Sequence, residues 1–507
     1  MKLTQILLIG ILLLASLLRF YKLDTIPHGL YIDEVSIGYN AYTILTKGAD
    51  EYGVSYPLFF KAFGEYKMPV AVYLTSASMA VFGKSEFAVR FPSALLGTIS
   101  VLLLYFLVRI LFKDNRTAIV SAFLLAISPW HIQFSRGGFE ANIALFFYLL
   151  GAVFFLQYRH RRQIMFLILS VFCFVTTIYT YNAYKVIAPL TIIFVILNSF
   201  QHLRRSRNKF GMTQLFVVCL SLLIVLLPVL LFSGGNNRFL EASAFSEYTR
   251  LPLVQKIMIY PMLYFKNYLS FFSLPFLFVT NDGFGRHTIE GMGPLFRWES
   301  PFLLFGFFAL FKQRKEFFAK TIWFLLLVAP MAAALTLPSP HALRSLLLVV
   351  PLTILTAYGI VTLWMQKSRV IKIVVLGIAL FAVYECSLYL HLYYVHYPSR
   401  TALDWGGEYK QVILEAQKQQ KQYSHIVINS SIGMIPSYSN FYDPSLKYEF
   451  VGYNWQKPAA WKGEKVLYIT PEDVTKDYNF AKTPHTHLKN IYFSNLNHDT
   501  FAVFWEL

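Results

Sequence analysis

Two adjacent acids, Asp33 and Glu34, interrupt an apolar run that has Leu30, Tyr31 and Ile32 before them and Val35 after. A carboxylate held in a partly dry cleft can take a proton from an acceptor hydroxyl, the work of a general base. Lys67 and Arg90 follow before and at the start of the next long apolar run. Such cations can fold toward an anionic leaving group, a phosphate above all. The plainer account of Asp33 and Glu34 is a solvated cap on the following helix, since acids are favoured at helix N-termini. The three cysteines are scattered, no CxxC or tight Cys/His spacing occurs, and no glycine-rich dinucleotide fingerprint is present, so a disulfide framework and a Rossmann-type nucleotide site have no support.

The elements that must position these residues are membrane helices. The chain has 507 residues, 56% apolar and 14% charged, where a soluble protein carries about 25% charge. Leu3 to Leu18 follows Lys2 and lacks a cleavage site before Arg19, which predicts a retained signal anchor. Further stretches of crossing length run near 86–112, 117–134, 138–157, 163–181, 183–200, 213–232, 299–311, 321–337, 345–364 and 370–390. The expected fold class is therefore an all-α polytopic membrane protein of about eleven transmembrane helices, with 299–311 the weakest span.

Alternate short loops are basic. They carry Lys113 and Arg116; Arg159, Arg161 and Arg162; Arg204, Arg205, Arg207 and Lys209; Lys312, Arg314, Lys315 and Lys320; and Lys367, Arg369 and Lys372. With Lys2 these make 17 basic residues against only Asp114 and Glu316, which is +15 of the total +18. The positive-inside rule then puts the N-terminus in the cytoplasm of a cell-membrane protein and the long loops 19–85 and 233–298 outside. The basic surplus is thereby a topology signal, and nucleic-acid binding loses its only support. Leu253 to Phe278, broken by Pro261 and Pro275, reads as an interfacial helix that lies on the membrane lipid.

After residue 391 the long apolar runs stop. An amphipathic helix over 407–421 and short strands at His425–Asn429 and Val466–Thr470 predict a small extracytoplasmic α/β domain over 391–507, bounded by Tyr397-Pro398. Residues 1–390 would form the catalytic membrane domain.

The order of motifs in 1–390 resembles the bacterial polytopic glycosyltransferases of the C-type fold, the group related to protein O-mannosyltransferases and to the aminoarabinose transferase of lipid A. The matching residues are Asp33-Glu34, Gly48 to Pro57, Lys67-Met68-Pro69 and Ala88-Val89-Arg90-Phe91-Pro92-Ser93. Met68 departs from the family's double proline. Ser135-Arg136 with Glu140 resembles a second acidic site, and Tyr179 to Pro189 a Tyr-x-Tyr turn carrying Lys185. Asn267 through Arg286-His287 to Gly293-Pro294, and His341 to Arg344, resemble two later outer loops.

The resemblance implies transfer of a sugar from a polyprenyl-phosphate carrier to an acceptor on the outer face, normally with inversion. Asp33 would be the base with Glu34 supporting it. Lys67, Arg90, Lys185, Arg286 and Arg344 would meet the donor phosphate, with loop bracing as the other role for Arg90. Arg136 and Glu140 would bind substrate or neutralise each other, Tyr179 and Tyr181 would line the site or belong to the interfacial belt, and His287 would contact substrate. No cofactor is certain, and a divalent metal is left open through His287 or His341 with an outer carboxylate. The acceptor class, protein, lipid or glycan, is undetermined. A transporter of lipid-linked sugar is the alternative, and it would be expected to show midplane charges and an internal repeat.

Overall fold

A computed structural model describes residues 3–63, 65–203, 242–452, 455–471, 485–492 and 500–507. The expected span at 213–232 and the basic residues Arg204, Arg205, Arg207 and Lys209 lie outside the described residues. Among those described, six helical stretches are long and apolar enough to cross a membrane, and seven if one bent pair counts as a span. They include α1 (Leu3–Phe20), α4 (Glu86–Phe112), α7 (Glu140–Arg161) and α14 (Arg369–His391), together with stretches containing α12 (Phe317–Val328) and α13 (Val349–Trp364). The chain is a multi-pass membrane protein by this count. Shorter apolar helices are α3 (Pro69–Phe82), α8 (Ile164–Ile178), α9 (Tyr184–Leu203) and α11 (Ser300–Lys312).

The expected continuous span over 117–134 is instead two helices, α5 (Asn115–Ile127) and α6 (Pro129–Arg136), bent by 54°. Pro129 cannot donate to the preceding turn, and the Ser128 hydroxyl accepts from the His131 amide and starts a new helix. The freed end of α5 is satisfied by Arg19, whose guanidinium donates to the carbonyls of Leu125 and Ala126.

The weak segment 299–311 forms α11, and glycines explain how so short a helix is held. A Cβ on Gly306 would strike the Leu355 carbonyl, and one on Gly359 the Phe302 carbonyl, so α11 and α13 meet backbone to backbone as small-residue contacts permit. Gly359→Leu is expected to separate them at a cost of about 1–3 kcal/mol or more; a Tm in detergent equal to the parent's would refute that packing role.

The connection from α1 to α4 holds α2 (Ile32–Lys47), a hairpin of β1 (Phe60–Ala62) and β2 (Glu65–Lys67), and α3. Gly48, at φ 67°, ends α2 in the left-handed region that glycine tolerates. Later in the chain, α10 (Leu253–Ser270) buries none of its residues.

The C-terminal part has α15 (Gly407–Gln419), α16 (Ile435–Tyr442) and a five-stranded sheet. Its strands are β3 (His425–Asn429), β4 (Glu449–Val451), β5 (Val466–Thr470), β6 (Thr486–Tyr492) and β7 (Thr500–Glu506), in the order β4-β3-β5-β7-β6. The β3 strand is parallel to β4 and β5, whereas β7 is antiparallel to β5 and β6. This unit packs directly on the α1–α4 connection. Lys410 and the Tyr442 hydroxyl both reach Glu86, at 2.9 and 2.6 Å. The Tyr438 hydroxyl donates to the Leu30 carbonyl at 2.8 Å, and Gly29 lies against the backbone of Gly407.

Candidate active site

Where the α1–α4 connection meets the loops at 282–287 and 341–344, a cavity of about 390 Å³ opens. Asp33, Lys67, Glu140, Tyr181, Lys185, Arg286, His287 and Arg344 all line it. Residues spread over more than 300 positions of sequence thus converge on one space. Glu34, Arg90, Arg136 and Tyr179 do not line it.

Asp33 sits in the first turn of α2, where the helix dipole favours a carboxylate. It is 23% exposed, and Lys67 Nζ lies 2.5 Å from its Oδ1. Lys67 is placed by β2, and the extended backbone of Met68 and Pro69 at N1 then turn the chain into α3. Beside them, burial first and the charge of Asp33 next push the Tyr31 phenol well above its ordinary pKa. Tyr31 therefore faces the cavity as a neutral hydroxyl.

Glu34 points the other way and is fully buried. Its Oε1 accepts from Arg90 Nε at 2.9 Å and from the Gly138 amide at 2.7 Å, while Oε2 accepts from Arg90 Nη2 and from the Tyr31 amide. Arg90 spends its remaining donors on the carbonyls of Leu23, Pro27 and Gly29. All five of its N–H groups are engaged, so the phosphate role expected for Arg90 gives way to loop bracing. Glu34 supports Asp33 only through the shared helix turn.

Arg136 likewise departs from expectation. Its Nε donates to the Tyr393 hydroxyl, and its terminal nitrogens donate to the carbonyls of Leu18, Arg19, Tyr21 and Ile26 at the end of α1. Its donors are spent on a buried helix end and on the Tyr393 hydroxyl, away from the cavity that Glu140 lines. Glu140 instead opens α7 and faces the cavity. Tyr179 stacks on Phe59, and its carbonyl accepts from the Val70 amide, so it braces α3 while Tyr181 alone of the pair lines the site.

On the far wall, Arg286 stands over the Tyr31 ring at 5.3 Å and donates to the Asp404 carbonyl. Burial raises the Asp404 carboxyl, against the pull of Arg286. The Arg286 backbone is held by Gln133, and the neighbouring Gly285 carbonyl by Tyr397, whose hydroxyl also accepts from Trp405 Nε1. Arg344 is steadied by Thr336 Oγ1 at 2.9 Å and the Leu337 carbonyl at 2.8 Å.

Asp282, which no local pattern had singled out, lies at the centre of the histidine pair. Its side chain is fully buried; Oδ2 is 2.6 Å from His287 Nδ1 and 3.8 Å from His341 Nδ1. The amides of Ala342 and Phe284 donate to the same carboxylate. The ligand atoms of the three residues lie within 4.8 Å of one another, and two imidazoles with one carboxylate suit a divalent ion. The 2.6 Å contact is a hydrogen bond, shorter than the roughly 3.3 Å between two ligands on one tetrahedral zinc. A bound ion would have to open it. An acid five residues before His287 in the same loop was the available sequence signal.

The sequence profile of the dolichyl-phosphate-mannose-protein mannosyltransferase family matches residues 66–232. The undecaprenyl phosphate-alpha-4-amino-4-deoxy-L-arabinose arabinosyl transferase of Pseudomonas aeruginosa is 33% identical over 116 residues. That stretch is 23% of this chain and spans about a fifth, 20%, of the relative's length. Crystal structures of ArnT from Cupriavidus metallidurans superpose with TM-scores of 0.58 in the apo state and 0.56 bound to undecaprenyl phosphate, at 11% and 12% identity, covering 99% of this chain and 97% of that one. The oligosaccharyltransferase AglB from Archaeoglobus fulgidus, in complex with an inhibitory peptide and a dolichol-phosphate, gives 0.52 at 14% identity, covering 89% of this chain and 64% of its own. The chain has the C-type fold of these membrane glycosyltransferases.

Proposed function

We propose that the protein transfers a sugar from a polyprenyl-phosphate carrier to an acceptor hydroxyl, with Asp33 as general base. The observation that carries this reading is Asp33, a partly exposed carboxylate in a cavity that also holds Glu140 and the cations Lys67, Lys185, Arg286 and Arg344. The acceptor hydroxyl gives its proton to Asp33 as its oxygen bonds to the sugar C1. The bond from C1 to the phosphate oxygen breaks with its electron pair, and the polyprenyl phosphate leaves as an anion. Attack opposite the leaving group inverts C1. Lys67, 2.5 Å from Asp33 Oδ1, orients the carboxylate, and the other cations take the charge that develops on the phosphate. The family match and the shared fold support this reading over a transporter. We further read the chain as eleven spans in the cytoplasmic membrane, with the N-terminus inside and the cavity and C-terminal domain outside, as the basic loops indicate.

Membranes containing the protein, supplied with labelled polyprenyl-phosphate sugars, should yield labelled acceptor. Lys185→Ala and Arg344→Ala should each raise KM for the donor roughly 10–100-fold, the worth of a hydrogen bond to a charged group. No labelled product from any such donor would overturn the proposal. Lys185, Arg286 and Arg344 suffice for the charge of the phosphate, so transfer is expected to survive EDTA. Loss restored by zinc or manganese would instead give Asp282, His287 and His341 a metal role.

A further inference from the structure

A second cavity, of about 570 Å³, runs between α1 and α14 and shares no lining residue with the first. Leu14 and Leu18 line it on α1, Phe123 on α5, and Ala379, Ala382 and Tyr389 on α14. Along α14 it extends from Val375 to Leu390, roughly 22 Å at the helical rise, against about 15 Å for half the hydrocarbon core. It is thus a crevice with the dimensions of a lipid chain. Within a bilayer such a gap between helices cannot stay empty without forfeiting the contacts of its walls.

Two observations point to the kind of lipid. The Tyr389 hydroxyl, on a residue 3% exposed, has no hydrogen-bond partner among the described residues. A buried orphan donor is costly, and an ester oxygen would satisfy it. At the end of the crevice nearest the C-terminal domain, α1 runs into Lys22 and α14 into His391. Tyr394 ties these ends together, donating to the Leu18 carbonyl and meeting the Tyr21 ring edge-on. His391 and His396 lie 3.2 Å apart through Nε2. This mouth carries the Lys22 ammonium, which is separate from the cations around Asp33.

We propose that the α1–α14 crevice binds an anionic glycerophospholipid, its acyl chain along Leu14, Ala379 and Ala382, an ester oxygen on Tyr389, and its phosphate at Lys22 and His391. The site is independent of the donor site, because a carrier whose phosphate sits by Lys185 would enter through the other cavity.

Delipidated full-length protein titrated with phosphatidylglycerol and followed by native mass spectrometry tests this. The wild type should bind one lipid tightly. Ala382→Trp, which fills the crevice, should abolish that binding. Lys22→Glu with His391→Gln, both at exposed positions, should weaken it at least fivefold, the effect of about 1 kcal/mol for the lysine alone. Lys185→Ala should leave it unchanged. Unaltered binding in both crevice variants would overturn the proposal, as would binding that tracks Lys185. Because the readout is bound lipid, failure of the transferase reading would leave this result standing.

Discussion

Asp33→Asn is expected to lower sugar transfer by about 10²–10⁴, the usual contribution of a positioned base, without a change in Tm or expression. The asparagine keeps the size of the side chain and can still accept from Lys67, which lies 2.5 Å from the present carboxylate. It cannot take up the acceptor's proton. The side chain sits at the cavity wall with 23% exposure, so the fold does not depend on burying its charge. Measured as product per mole of protein at saturating donor, the loss should fall on kcat. Undiminished transfer would remove Asp33 from the role of base, and a KM effect alone would recast it as a binding residue.

The second large effect concerns stability. Glu34→Ala or Arg90→Ala each strands a fully buried charge, and breaking such a pair costs about 3–5 kcal/mol. That is comparable with the whole stability of many domains. Both variants should be recovered in low yield and melt far below the parent. Arg90→Lys should not rescue, because an ammonium cannot reproduce the fork that serves Glu34 and three carbonyls at once. Removing both charges should cost less than the two single losses combined, since no ion is then left unpaired, although the carbonyls of Leu23 and Pro27 still lose their donor. A stable Glu34→Ala protein with lost transfer would instead place Glu34 in the chemistry.

Asp33 and Glu34 are adjacent in sequence and both stand in the first turn of α2, yet one serves the cavity and the other the scaffold. Neighbouring positions on a helix are about 100° apart, so what each carboxylate meets depends on which walls close around the helix. The cation set divides in the same way. Lys67, Lys185, Arg286 and Arg344 face the cavity, whereas Arg90 and Arg136 are engaged by backbone carbonyls at the end of α1 and in the chain that leaves it.

The amino-acid sequence by itself determined the membrane character of the chain and the strands at His425–Asn429 and Val466–Thr470. It also determined which residues form the pool of ionisable groups available to the site. Hydropathy and turn chemistry are local properties, which a few neighbouring side chains express wherever the segment lies. The tertiary structure alone decided that α5 and α6 bend apart, that Asp282 stands between two histidines from separate loops, and that the C-terminal domain packs against the α1–α4 connection at Glu86 and Leu30. Each of these turns on where a buried donor finds its acceptor. An unpaired polar group in a dry interior is so costly that such pairings are settled by three-dimensional proximity, whatever the distance along the chain.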